Sequence, residues 1–217
     1  MPHSVDLYWS FRSPYSYLVT PRLVELERHW DAQVNVKPVL PIAVRQPDFF
    51  ANADPLWTSY LMRDCTRSAE FAGMPLRWPR PDPVLMDFAT RTYPKDQPHI
   101  HRLTRLGALA AERGHGLAVL RAVSHLIWSG EVDGWHEGDH LACAFAAAGC
   151  DLAEMDAMQT AEAQRLDAVI EANAADQRLG GHYGVPLMVY DGEPFFGQDR
   201  YDQLLWRMQQ KGMAQRG

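Results

Sequence analysis

Along the chain the spacing of apolar positions changes character twice. Residues 6–11, Asp-Leu-Tyr-Trp-Ser-Phe, are apolar and aromatic enough for a short buried strand. From Tyr15 onward, Leu18, Val19, Leu23, Leu26 and Trp30 recur at helical spacing and predict a helix over about 14–30. Pro21 falls inside that helix and is expected to kink or split it. Val34, Val36, Pro38 and Leu40 then alternate as in a second strand, with Pro38 favouring an edge position or an early end. These opening segments read as a βαβ unit with a right-handed crossover.

At Pro41 the alternation stops. Residues 41–56 are rich in Pro, Asp, Asn and Ala and read as a loop. Helical spacing returns from about Trp57 to Ala72 and is stopped by Gly73 and Pro75. Trp78-Pro79-Arg80-Pro81-Asp82-Pro83 cannot continue a helix and reads as an extended surface loop. Further helices are predicted over about 99–113 and 117–129, closed by Gly114 and Gly130, and from Asp139 to Ala148. Asp151-Leu-Ala-Glu154 fits a capping box and opens another. A last helix of this block places Leu166, Val169, Ile170 and Asn173 on one face and ends near Gly180-Gly181.

The final segment returns to strands. Leu187–Tyr190 is followed by Asp191-Gly192, a strong two-residue hairpin signal, and by a return strand from Pro194. Gly197-Gln198-Asp199-Arg200 opens a closing helix with Leu204, Leu205 and Met208 inward. The order of elements is that of a thioredoxin fold with an all-helical insertion, an α/β architecture. The predicted units are a discontinuous thioredoxin-like domain, residues 1–44 and 160–217, and a helical insertion domain, residues 45–159.

Composition narrows the function. Hydrophobic residues are 47% and charged residues 22% of the 217, as in a globular protein. The net charge of −6 argues against a nucleic-acid or anionic-membrane partner. Met1-Pro-His-Ser-Val has neither the basic nor the apolar run of a signal peptide, and no segment is long enough to span a membrane. Cys65, Cys143 and Cys150 form no CxxC pair and are expected to be small buried residues in a reducing cytoplasm.

Four groups of residues carry candidate chemistry. Ser13 precedes Pro14 at the predicted start of the first helix, where unpaired N–H groups and the helix dipole favour a thiolate or carboxylate. A plain N-cap serine fits the same position, and neither a GxSxG elbow nor a neighbouring histidine is evident. Gly184-Val185-Pro186 precedes a strand; in this fold the proline is expected to be cis, to face Ser13, and to leave the Val185 backbone free to pair with an extended peptide. An ordinary proline at a strand start is the plainer alternative. Gln198 and Asp199 sit at a helix start suited to an α-amino-acid head group, although Asp199 as an N-cap with Arg200 solvated fits equally well. His99, His101, His136 and His140 raise the idea of zinc, but their spacing selects ligands loosely and they read as solvated surface residues.

Phe11-Arg-Ser13-Pro14-Tyr-Ser-Tyr17 resembles the turn before the first helix in the kappa-class glutathione transferases and 2-hydroxychromene-2-carboxylate isomerases, within the wider DsbA-like thioredoxin group. Redox members carry Cys-Pro-x-Cys there; this chain has Ser13 and Ser16, which disfavours a dithiol oxidoreductase. Tyr60-x-x-x-Asp64-x-x-Arg67 with Gly73-Met-Pro75, and the Gly-x-Asp-Arg motif ending in Arg200, are similar to the same family.

The resemblance implies glutathione as cofactor. Ser13 would hydrogen-bond its sulfur, Val185 and Pro186 would present backbone to its cysteinyl residue, and Gln198, Asp199 and Arg200 would form the γ-glutamyl end of the site. Asn52 and Tyr60 would line the substrate cleft, and the chain would be a homodimer. Departures are Trp57 where the family often has a glycine-carboxylate-binding lysine, a shortened Asn52–Tyr60 segment, and a longer Trp78–Pro98 stretch. The expected activity is a glutathione-dependent isomerisation of an aromatic conjugated acid. A kappa-like transferase and a non-catalytic thioredoxin-fold binding protein are the alternatives.

Overall fold

The computed structural model describes residues 3–87 and 92–217. Within the proline-rich Trp78–Pro98 stretch, residues 88–91 therefore lie outside the described residues, as does the beginning of the Met1–Val5 segment.

A four-stranded sheet is built from the two ends of the chain, in the order β2-β1-β3-β4. Strand β1 (His3–Trp9) is central, because Val5, Leu7, Tyr8 and Trp9 are all buried and need cover on both faces. It pairs in parallel with β2 (Ala32–Pro38), with Asp6 opposite Asn35. The edge position of β2 tolerates the missing N–H of Pro38. On its other side β1 runs antiparallel to β3 (Leu187–Tyr190), which continues into β4 (Glu193–Phe196). Asp191 (φ 52) and Gly192 (φ 77) form the connecting two-residue turn, both left-handed as a type I′ hairpin requires.

Helix α1 (Pro14–His29) crosses from β1 to β2. It runs unbroken through Pro21, so of the expected kink or split the split does not occur. Its buried inner residues, including Tyr17, Leu18, Val19, Leu23 and Leu26, hold it against the core and override the roughly 3 kcal/mol preference against an interior proline. The segment expected to be loop after Pro41 contains a short helix, α2 (Ile42–Arg45), and then turns carrying Phe49 and Phe50.

The block between β2 and β3 supplies no strand of the sheet among the described residues. It consists of α2, α3 (Pro55–Phe71), α4 (Pro98–Glu112), α5 (Gly116–Trp128), α6 (His140–Ala147), α7 (Leu152–Ala161) and α8 (Ala163–Leu179). Asp151 caps α7 through the Glu154 N–H, as its sequence suggests. A 3₁₀ turn, Gln198–Arg200, leads into α9 (Tyr201–Gln210). No described helix is long and apolar enough to cross a membrane.

The helices share a large apolar core with one face of the sheet, and a second small cluster lies on the other. Helix α4 packs so close to the strands that a Cβ on Gly107 would lie 2.9 Å from the Phe11 ring. Helix α8 covers the opposite face of β1, where Tyr8 and Leu187 pack against Ala174 and the Tyr8 hydroxyl donates to Asp176 at 2.7 Å.

Two expectations about exposure fail. The Trp78–Pro83 stretch is docked, not free: Pro79, Pro83 and Val84 are buried, and the Pro81 carbonyl accepts from the Trp135 indole at 2.8 Å. Of the cysteines only Cys65 is fully buried; Cys150 is half-buried, and Cys143 is exposed on α6, which buries Leu141 and Phe145 in the core.

Candidate active site

The site is assembled where β1 ends. Trp9 and Phe11 are buried and stack edge to face at 4.6 Å, and the Phe11 carbonyl accepts from the Trp128 indole at 2.9 Å. The chain then turns tightly, with the Ser13 N–H donating to the Ser10 carbonyl at 3.1 Å. Ser13 is the N-cap of α1: its Oγ accepts from the Ser16 N–H at 3.1 Å, and Pro14 takes the first helical position. The dipole of a long helix therefore ends at the Ser13 hydroxyl. Ser16 is fully buried, so the turn presents one accessible hydroxyl and no thiol.

Opposite Ser13 lies the segment before β3. Val185–Pro186 is cis, and the Ser13 Oγ donates to the Val185 carbonyl at 3.4 Å. That bond is long and weak, so the hydroxyl proton is easily redirected to a better acceptor. The Pro186 carbonyl accepts from the Gly197 N–H at 3.0 Å, which draws the Gln198–Arg200 turn to the same place. Gln198 is half-buried there, while Asp199 and Arg200 are exposed and paired with each other at 2.8 Å.

A separate cavity lies at the segment after α2, and neither the Ser13 turn nor Val185–Pro186 lines it. Asn52 is exposed and lines a cavity of about 670 Å³ together with Phe49, Trp57 and Tyr183. Phe49 meets Trp57 edge to face at 5.8 Å, and Phe50 meets Trp57 at 6.0 Å. Trp57, at the position where lysine was the family expectation, thus contributes an aromatic ring instead of a charge. Tyr60 is 59% exposed, and its hydroxyl donates to Asp64 at 3.2 Å. Asp64 also accepts from the Tyr15 hydroxyl at 2.7 Å, so α3 is fastened to the Ser13 turn. The Tyr15 bond leads the interactions that hold the Asp64 carboxyl below its usual range, and burial pushes the Tyr15 phenol well up.

Arg12, next to Ser13, was not singled out by its sequence. Its guanidinium donates to both oxygens of Asp82 and lies 5.7 Å from the ring centres of both Phe50 and Trp78. Asp82 also accepts from the Trp78 indole and the Val84 N–H. The proline-rich stretch is thereby clamped against the Ser13 turn. No local signal could have found this pair, because its partners are 70 residues apart.

The sequence also placed no histidine near the site. His182 lies three residues before Val185, stacked on Phe196 at 3.7 Å and accepting the Gly184 N–H at Nδ1, with no contact to Ser13 among its bonds. The other histidines are not all solvated as expected. His99 and His136 are half-buried with rings 4.7 Å apart, because both lie against the buried Trp135. Among the described residues, no three His, Cys, Asp or Glu side chains are grouped as a metal ion would need.

The sequence matches the DSBA-like thioredoxin domain family over residues 4–209. No curated protein matches it. A solved 2-hydroxychromene-2-carboxylate isomerase superposes with a TM-score of 0.70 at 21% identity, covering 95% of each chain. A probable DsbA oxidoreductase from Streptomyces coelicolor gives 0.64 at 17% identity, covering 94% of this chain and 89% of its own. The cytosolic disulfide reductase DsbM from Pseudomonas aeruginosa, solved with GSH, gives 0.58 at 15% identity, covering 96% and 99%. At these identities the likeness is one of fold.

Proposed function

The chain belongs to the DSBA-like thioredoxin domain family, and from that premise we propose that it is an enzyme, a glutathione-dependent isomerase of the 2-hydroxychromene-2-carboxylate type. The observation that carries this reading is the Ser13 hydroxyl, held at the N-terminus of α1 and facing the Val185 carbonyl at 3.4 Å, in a turn with serine at both ends. Such a turn cannot form a disulfide, yet it keeps the features that stabilise a bound thiolate.

Glutathione, when bound, would supply a thiolate that adds reversibly to a conjugated double bond, allowing rotation about that bond before it leaves. The residues present fit this ligand. Among the described residues the Val185 N–H has no partner, so the Val185 backbone is available to the cysteinyl residue. Ser13 donates to the sulfur and lowers the thiol pKa. Gln198 and Asp199 receive the γ-glutamyl end, with Arg200 steadying Asp199. Asn52, Trp57 and Tyr183 form the wall for a flat aromatic acid, and Asp64, to which Tyr60 donates within α3, ties that helix to α1 through Tyr15. The three free cysteines suit a reducing, cytoplasmic setting.

Calorimetric titration with glutathione, followed by a panel of aromatic conjugated pyruvates, tests the reading. Isomerisation with no net loss of glutathione is expected. Consumption of glutathione would make the protein a kappa-like transferase, and absence of binding would make it a non-catalytic binding module. Light scattering tests the homodimer implied by the family resemblance.

A further inference from the structure

The backbone just before Val185 is tied down by side chains outside the cavity wall. Arg45, the last residue of α2, donates Nη2 to the Tyr183 carbonyl at 2.9 Å, Nη1 to Gln177 Oε1 at 3.2 Å and Nε to the Leu40 carbonyl at 2.7 Å. Gln177, on α8 and fully buried, donates Nε2 to the Gly184 carbonyl at 2.6 Å. The Gly184 N–H goes to His182 at 2.9 Å. Two successive carbonyls before Val185 are thus held by a pair of side chains that also hold each other.

The charge makes this arrangement costly. No carboxylate pairs with Arg45 among the described residues, and three uncharged oxygens are its only acceptors. Burial, with Arg178 nearby, brings its guanidinium down to about 10. A half-buried cation without a counter-ion opposes folding. Of its three acceptors, one is the Tyr183 carbonyl and another is the buried Gln177 side chain that holds the Gly184 carbonyl, so its use here points to the loop it holds.

We propose that Arg45 and Gln177 are positioning residues for the Val185 backbone, fixing the direction of its N–H and carbonyl toward Ser13 so that a peptide ligand pairs there without ordering the loop first. The inference rests on the glutathione reading above for the identity of the ligand, but the brace itself exists without ligand. It is the preorganisation that lowers the entropic cost of binding.

Full-length Arg45→Met, Arg45→Lys and Gln177→Leu variants test it by three measurements. The first is hydrogen exchange of the Gly184 amide without ligand; the others are glutathione affinity and the thermal midpoint. Arg45→Met and Gln177→Leu should speed Gly184 exchange and weaken glutathione about tenfold, equivalent to about 1.4 kcal/mol. Arg45→Met should weaken glutathione by more than any fall in its thermal midpoint accounts for, and Arg45→Lys, which keeps one donor for Tyr183, should recover part of the affinity. Unchanged exchange and affinity in both disruptive variants would overturn the proposal. So would a midpoint that falls in step with affinity, since Arg45 would then be a structural strut. If the wild-type protein binds no glutathione, the functional reading fails, and ligand-free exchange still decides the brace: faster exchange supports it and unchanged exchange overturns it.

Discussion

Replacing Ser13 by alanine separates two jobs done by one oxygen. The Oγ accepts from the Ser16 N–H at 3.1 Å, and this cap contributes about 1 kcal/mol to stability. The same hydroxyl donates to the Val185 carbonyl at 3.4 Å, a bond too long to hold the proton against a thiolate. A hydrogen bond to a charged acceptor is worth about 1.5–3 kcal/mol. At about 1.4 kcal/mol per unit, its loss should raise the pKa of a bound thiol by roughly one to two units. The direction is upward because the lost donor favoured only the charged form. Ser13→Gly is the control. Glycine at an N-cap costs only a few tenths of a kcal/mol, so fold stability should survive while the thiol shift matches that of alanine. Ultraviolet absorbance of the bound thiolate, followed against pH, reads the effect directly. Glutathione affinity through Val185, Gln198 and Asp199 should largely persist. Superimposable titration curves for wild type and both variants would refute the reasoning, and Ser13 would be a helix cap only.

Further outcomes are expected elsewhere. Asp82→Ala should destabilise the protein by about 3 kcal/mol in urea denaturation, since it strands the Arg12 guanidinium, only 13% exposed; a loss below about 1 kcal/mol would contradict the clamp. Trp57→Lys should tighten glutathione a few-fold at low salt, with the gain vanishing at high salt, and an affinity independent of salt would count against a charge effect. Burial holds His99, His101 and His182 below the ordinary 6.5, so the native state disfavours their protonation. Stability should therefore be full above about pH 6.5 and fall as the pH drops through the lower folded values, ahead of any carboxylate effect; a flat profile between about pH 7 and 5 would exclude this. Arg45→Met, argued above, should uncouple glutathione affinity from thermal stability.

What the sequence made legible was local. Ser13-Pro14 before a helical stripe specifies its own cap, and Asp191-Gly192 between two apolar runs specifies its own turn. The proline before β3 needed only the order of elements to be placed opposite Ser13. What could not be read depended on partners far apart in the chain. Pro21 argued for a break, and only burial along the whole inner face of α1 explains its absence. The run of prolines looked exposed because nothing near it announced that Asp82 would meet Arg12, or that Trp135 would reach the Pro81 carbonyl. Arg45 and Gln177 carry no motif, and their importance appears only when α2 and α8 converge on one loop. The histidines were misjudged for a related reason, since Trp135 gathers two of them into one half-buried group.

The sheet also bears on how the protein comes to exist. Strand β1 is synthesised long before its antiparallel neighbour β3, with Asp6 paired to Val189. A nascent chain must carry β1 with one side unpaired while every helix between them is made, and an open strand edge is where misassembly begins. Contacts of such sequence separation also slow folding. Because Ser13 and Val185 sit at the two ends of that delay, no chain that stops short of Val185 contains the site. A ligand that spans both would bind only molecules in which β3 has docked on β1, and its occupancy would report that docking directly.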